Sequence, residues 1–183
     1  MRKLLLLTFL IAGVFTTAYS QNDMGITSKS ANAGNAVFFE LGGHSLFFGF
    51  NYDSRFNKRA DGIGGRVGVG YMAISGSSFF SLPVALNYLI GKNGKYFEMG
   101  AGATILSIGE GGFEPFSFYD EEYEYQGDSR TKLIGNILFG FRKQPVNGGF
   151  LFRAGVAPIF GKDSDKSFFF FPFLPYIGLG YSF

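Results

Sequence analysis

The chain has 183 residues, 16 basic and 14 acidic, with 28 glycines, 25 phenylalanines, ten tyrosines and neither cysteine nor tryptophan. Without a thiol there is no disulfide, no thiolate metal site and no lipid anchor on cysteine. The formal charge of +2 resides in Arg2 and Lys3, so residues 21–183 are neutral overall and carry no basic stripe for nucleic acid.

Arg2 and Lys3 precede an apolar run from Leu4 to Phe15, and Ala18-Tyr19-Ser20 puts small residues at −3 and −1 of a cut before Gln21. That pattern is a secretory signal peptide over residues 1–20. The run is too short to span a bilayer as a helix, which takes roughly 20 residues. Residues 21–35 are small, polar and aperiodic, and read as a flexible periplasmic leader.

From 36 to 183 the pattern changes to eight segments in which large apolar residues alternate with tiny or polar ones, the period of a strand whose two faces meet different surroundings. Strand 1, about 36–42, sets Val37, Phe39 and Leu41 against Glu40 and Gly42. Strand 2, about 46–55, sets Leu46, Phe48, Phe50 and Tyr52 against Gly49, Asn51 and Asp53. Strand 3, about 63–74, opposes Val67, Val69 and Tyr71 to Arg66, Gly68 and Gly70. Strand 4, about 79–91, opposes Leu82, Val84, Leu86 and Tyr88 to Ser81, Ala85 and Asn87. Asn93-Gly94 is the strongest short hairpin signal. Strand 5, about 96–108, sets Phe97, Met99, Ala101 and Ile105 against Glu98, Gly100, Gly102 and Thr104. After a long connection, strand 6, about 131–143, sets Leu133, Ile137, Phe139 and Phe141 against Asn136, Gly140 and Arg142. Strand 7, about 150–161, sets Phe152, Ala154 and Val156 against Arg153, Gly155 and Ala157. The last strand sets Ile177, Leu179, Tyr181 and Phe183 against Gly178, Gly180 and Ser182.

Eight strands of roughly ten residues have the dimensions of the smallest membrane barrels, and the connections alternate short and long as they do there. A soluble lipocalin-like barrel is the competing reading. It would have to pack the large face inside, and eight strands leave an interior only just wide enough for side chains. The expected architecture is all-β: an eight-stranded antiparallel up-and-down transmembrane barrel over 36–183, with the small and charged face inside. Glu40, Asp53 and Glu98 then share the lumen with Arg66, Arg142 and Arg153, and must pair there because an isolated buried charge costs several kcal/mol. The expected result is a closed, salt-bridged lumen rather than a conducting one.

Other candidates lie at the ends of the strands. His44, the single histidine, is expected at the outer rim as a polar turn residue beside Ser45, with Ser75, Ser77 and Ser78 in the next outer connection. A lipid A-modifying enzyme using His44 and a rim serine is the alternative, yet no carboxylate is evidently placed to complete the set that a nucleophile needs. The connection 109–130 carries Glu110, Glu114, Asp120, Glu121, Glu122, Glu124 and Asp128 interleaved with six aromatics. It reads as a ribbon for an envelope partner by strand addition, as oxygen ligands for Ca²⁺, or as a solvated loop that repels anionic lipopolysaccharide. Phe168-Phe169-Phe170-Phe171 reads as an aromatic girdle segment or as a surface packed on that loop. Phosphate-loop, dinucleotide, HExxH and GxSxG patterns do not occur, so no cofactor, metal or catalytic residue is assigned.

Pro175-Tyr-Ile-Gly-Leu-Gly-Tyr-Ser-Phe183 resembles the C-terminal signal strand of bacterial outer-membrane barrels, in which Tyr181 and Phe183 would be read by the assembly machinery. With Asn35–Gly43, Leu82–Gly91, Phe97–Ala103 and Phe152–Val156 it also resembles the small porin-like barrel proteins of Bacteroidota, and in size the OmpA-type barrels. The resemblance implies an integral outer-membrane protein among lipid and lipopolysaccharide. It implies no activity.

Overall fold

The computed structural model describes residues 34–57, 59–74, 77–109, 130–162 and 167–183. The strands are β1 Asn35–Gly42, β2 Phe48–Arg55, β3 Gly62–Ile74, β4 Ser77–Lys92, β5 Lys95–Gly109, β6 Arg130–Lys143, β7 Gly149–Val156, β8 Ile159–Lys162, β9 Phe168–Phe171 and β10 Pro175–Ser182. All neighbours pair antiparallel, β1 through β7 in chain order, and β10 joins β7 to β1 so that the sheet closes on itself. Asn35 and Phe183 exchange backbone hydrogen bonds of 3.1 and 2.9 Å at this seam.

These ten stretches make eight walls. β7 and β8 lie along the same neighbour, β6, pairing with Phe139–Lys143 and with Ile134–Asn136. Between them the ladder is interrupted at Ala157-Pro158, and between β9 and β10 the chain breaks at residues 172–174. Pro158 and Pro172 supply no N–H to a ladder. The breaks are bridged by Ile137 N donating to Pro158 O at 3.0 Å and by Ala157 N donating to Leu174 O at 2.7 Å.

At one end, the turn end, the described link residues are 56–57 and 59–61, Asn93-Gly94 and 144–148. Asn93 and Gly94 both have positive φ, 57° and 75°, the conformation of the two-residue hairpin turn their sequence predicts. The opposite, loop end carries residues 43–47 and the adjoining ends of β3, β4, β5, β6, β8 and β9. The walls differ in height: β3, β4, β5 and β6 have 13, 16, 15 and 14 residues, whereas β1 and β2 have eight each.

The alternation divides as the sequence predicts. Phe39, Phe50, Val67, Leu86, Ile105, Phe139 and Leu179 are exposed on the outer face, while Glu40, Asp53, Arg66, Asn87, Glu98 and Arg142 are buried inside. Strand 1 starts one residue earlier than expected, at Asn35, inside the segment read as leader. Strand 2 starts two residues later, at Phe48. Leu46, expected on its outer face, is 3% exposed with φ 68°. The 3-10 turn Gly43–Ser45 folds into the barrel and takes Leu46 with it, because Gly42 and Gly43 adopt φ of 72° and 61°, which a side chain at those positions would resist.

The interior is layered. At the loop end Leu46, Phe79, Leu106, Ile108, Ile134 and Ile159 form an apolar cluster, covered by Phe47, Met72, Phe169, Phe171 and Leu174. Phe169 and Phe171 thus pack on this cluster, whereas Phe168 and Phe170 are exposed. Nearer the turn end the lumen is charged.

Candidate functional site

The charged layer is built on the register of the strands. Asp53 lies directly opposite Arg66, Arg142 opposite Arg153, and Glu40 and Arg153 flank Gly178 on β10. Side chains of like charge placed opposite each other are destabilising. The pair Arg142 and Arg153 is tolerated because Glu98 reaches both, at 3.5 and 3.0 Å. Arg142 also lies 3.2 Å from Asp53 Oδ2, and Asp53 Oδ1 pairs with Arg55. At the other end Arg153 lies 3.0 Å from Glu40 Oε2, to which Arg66 Nη1 donates at 2.9 Å. The result is one alternating chain: Arg55, Asp53, Arg142, Glu98, Arg153, Glu40, Arg66. Each carboxylate is held by two guanidiniums.

Asn87 is a further member. Its amide donates to Asp53 Oδ2 at 2.5 Å and to Glu98 Oε1 at 3.0 Å, and its carbonyl accepts from Arg55. Phe38 is buried among the arginines, whose Cζ atoms lie 4.6 Å (Arg153), 5.4 Å (Arg66) and 6.0 Å (Arg142) from its ring centroid. Tyr176 takes Arg153 at 4.9 Å. These are cation–π distances, and such contacts strengthen when water is excluded.

The six lumen charges expected from sequence all lie on the inner face and belong to this one chain. Asn87, already read on the inner face, was not assigned to the charged layer, and Arg55, Phe38 and Tyr176 were missed. Parity carried a signal for each: Arg55 follows Asp53 by two residues, Phe38 precedes Glu40 by two, and Tyr176 precedes Gly178 by two. Glycines make the space. Arg55 lies across from Gly64, Phe38 from Gly180, and Tyr176 from Gly155, itself opposite Gly140. A Cβ on Gly178 would meet Arg153 Cγ at 2.7 Å.

His44 departs from the expectation of an exposed rim residue. It is fully buried on the inturned segment, and neither ring nitrogen has a hydrogen-bond partner among the described residues. The segment is held by its backbone: Thr104 Oγ1 donates to His44 O at 2.6 Å, and Ser81 Oγ to Ser45 O at 3.2 Å. Asn136 donates in turn to Thr104 Oγ1 at 3.1 Å, and Asn51 to Ser45 Oγ at 3.2 Å. Three strands therefore grip one turn directly, and β6 braces it through Thr104. The histidine–serine–carboxylate set of the enzyme alternative is not assembled among the described residues. Ser75 and the acidic residues Glu110, Glu114, Asp120, Glu121, Glu122, Glu124 and Asp128 lie outside them.

No protein-family model matches this chain, and no curated protein matches it. Among solved structures it is similar to the N-terminal β-barrel domain of Pseudomonas aeruginosa OprF, with a TM-score of 0.52. The fold is that of the OprF barrel. The match covers 81% of this chain and 95% of the OprF domain at 14% sequence identity. At that identity the likeness to OprF is one of chain path, and the charged layer rests on the residues of this chain alone.

Proposed function

We propose that the chain is an integral outer-membrane β-barrel protein, of the small porin-like kind resembled in Bacteroidota, exported by a cleaved signal peptide. Its role is structural or loop-presenting, it performs no chemistry, and its lumen is closed by the charge chain and the apolar cluster. The observation that carries this reading is the outer face. Among the described residues, exposed large hydrophobic side chains outnumber buried hydrophobic residues about two to one. Soluble monomers rarely expose apolar patches beyond a few hundred Å², whereas a membrane barrel needs a continuous apolar band. On β4 that band runs from Phe80 to Ile90, which at about 3.3 Å per residue and the usual tilt is close to 25 Å tall. At the turn end it is bordered by Tyr52, Tyr88 and Tyr181 and by Lys92, Lys95 and Lys143, neighbours in register across β4, β5 and β6. Aromatic girdles of this kind sit at membrane–water boundaries, and lysines there suit anionic headgroups. The OprF likeness fits the same location.

The test is heat-modifiability. The unboiled protein is expected in the membrane fraction, running faster on SDS gels than the boiled one; identical mobility with the protein in the soluble fraction overturns the reading. Phe183, 52% exposed, serves in this proposal with Tyr181 as the signal for the assembly machinery, so deleting it should reduce the fast-running form.

The loop-presenting part rests on residues 109–130, whose seven acids and six aromatics exceed what a connection needs. β5 and β6 stay paired out to Ile108 and Arg130, where this loop leaves and rejoins the wall. Shortening the loop between Glu110 and Asp128 to Gly-Asn-Gly should leave the barrel heat-modifiable, since loop length costs little. It should abolish co-purification of an envelope partner. A shortened barrel that keeps every partner leaves only the structural role.

A further inference from the structure

We propose that the lumen binds one small monovalent anion of the halide class at the Arg66 end of the charge chain. Four arginines share three carboxylates there, and all seven side chains are buried. Arginine does not give up its proton in proteins, so among the described residues one positive charge is left over. An uncompensated buried charge is costly. The two ends of the chain are not equivalent. At one end Arg55 also donates to Gly62 O at 3.0 Å and to Asn87 Oδ1. At the other, Arg66 spends only Nη1, on Glu40. Its Nε and Nη2, which form a fork of two parallel donors suited to an anion, have no acceptor among the described residues, and neither Arg153 Nε nor Glu40 Oε1 beside it has a hydrogen-bond partner there.

A second group points to the same place. The inturned segment lies against Glu40, since a Cβ on Gly43 would meet Glu40 Oε1 at 3.0 Å. The next residue, His44, is fully buried, lies in the field of Arg66, Arg153 and Asp53, and has both ring nitrogens without a hydrogen-bond partner among the described residues. A neutral imidazole always has one N–H to donate. Water can satisfy such donors but leaves the extra charge in place; an anion answers both. The narrow interior of an eight-stranded barrel restricts it to a small one. The inference does not depend on what the outer face meets.

The test is urea unfolding of the full chain, refolded in detergent micelles, with sodium chloride replacing sodium gluconate at constant ionic strength. Above the dissociation constant each tenfold rise in chloride should raise the folding equilibrium constant tenfold. Arg66→Gln should abolish that dependence and Arg55→Gln should keep it. Bromide-grown crystals of the unaltered protein, which stay decisive if Arg66→Gln does not fold, should give one anomalous peak beside Arg66 and His44. Equal stability in chloride and gluconate, a chloride dependence that survives Arg66→Gln, or crystals with water only at that place would each overturn the proposal.

Discussion

Glu98→Gln is expected to destabilise the barrel by on the order of 3–5 kcal/mol, the penalty for breaking a buried ion pair from one side. The substitution keeps shape and removes one charge. It leaves Arg142 and Arg153, which face each other directly across β6 and β7, without the carboxylate that lies between them at 3.5 and 3.0 Å. It also raises the surplus of positive charge in the lumen. Lys92→Ala, at an exposed strand end, should cost under about 1 kcal/mol. Urea unfolding in micelles reads both. The double variant Glu98→Gln/Arg142→Gln should recover part of the loss, because contacting residues are not additive. Equal, small effects at Glu98 and Lys92 would mean that the charge chain contributes nothing to stability.

Gly155→Val should also be strongly damaging, for a steric reason. Gly155 is the floor on which Tyr176 rests. A Cβ there would approach Gly140 Cα at 2.6 Å and Tyr176 Cε1 at 2.8 Å. Backbone closes one side and a buried ring the other, so neither gives way cheaply. The cost should reach or pass the upper end of the usual overpacking range, about 3 kcal/mol, and the yield of refolded, heat-modifiable barrel should fall accordingly. Gly65→Ala is the control. It points outward, and its nearest neighbour is the Phe56 ring at 3.2 Å, on a turn that can shift. Strand interiors disfavour glycine, so this change should be neutral or slightly stabilising. Similar yields for the two variants would argue against the role assigned to Gly155.

The barrel was legible in the sequence because a strand's period is two and does not drift. One residue of known side assigns the rest, so Glu40, Asp53, Arg66, Glu98, Arg142 and Arg153 read inward from their neighbours' size. Three features were hidden for separate reasons. Phe38 and Tyr176 are large residues on the small face, and they fit only because Gly180, Gly155 and Gly140 lie beside them on other strands; that is register, which a single strand does not carry. Arg55 was obscured by its place next to a turn. His44 and Leu46 were misplaced because two glycines announce a turn without announcing its direction. The inward direction follows from Thr104 and Ser81, donors some 60 and 36 residues further along.

The seam between β1 and β10 has a consequence in time. Asn35 and Phe183 pair across a separation of roughly 150 residues, and closing a loop of that size costs about 4 kcal/mol of chain entropy before any contact rewards it. Until then both edges lie open, β1 on one side and β10 on the other, and unpaired edges recruit other chains. Folding dominated by such distant pairings is slow. The barrel should therefore spend its vulnerable period as an unclosed sheet, in need of shelter. Once closed it has no open edge from which to unzip, so its unfolding has to begin by breaking a pair inside a complete ring.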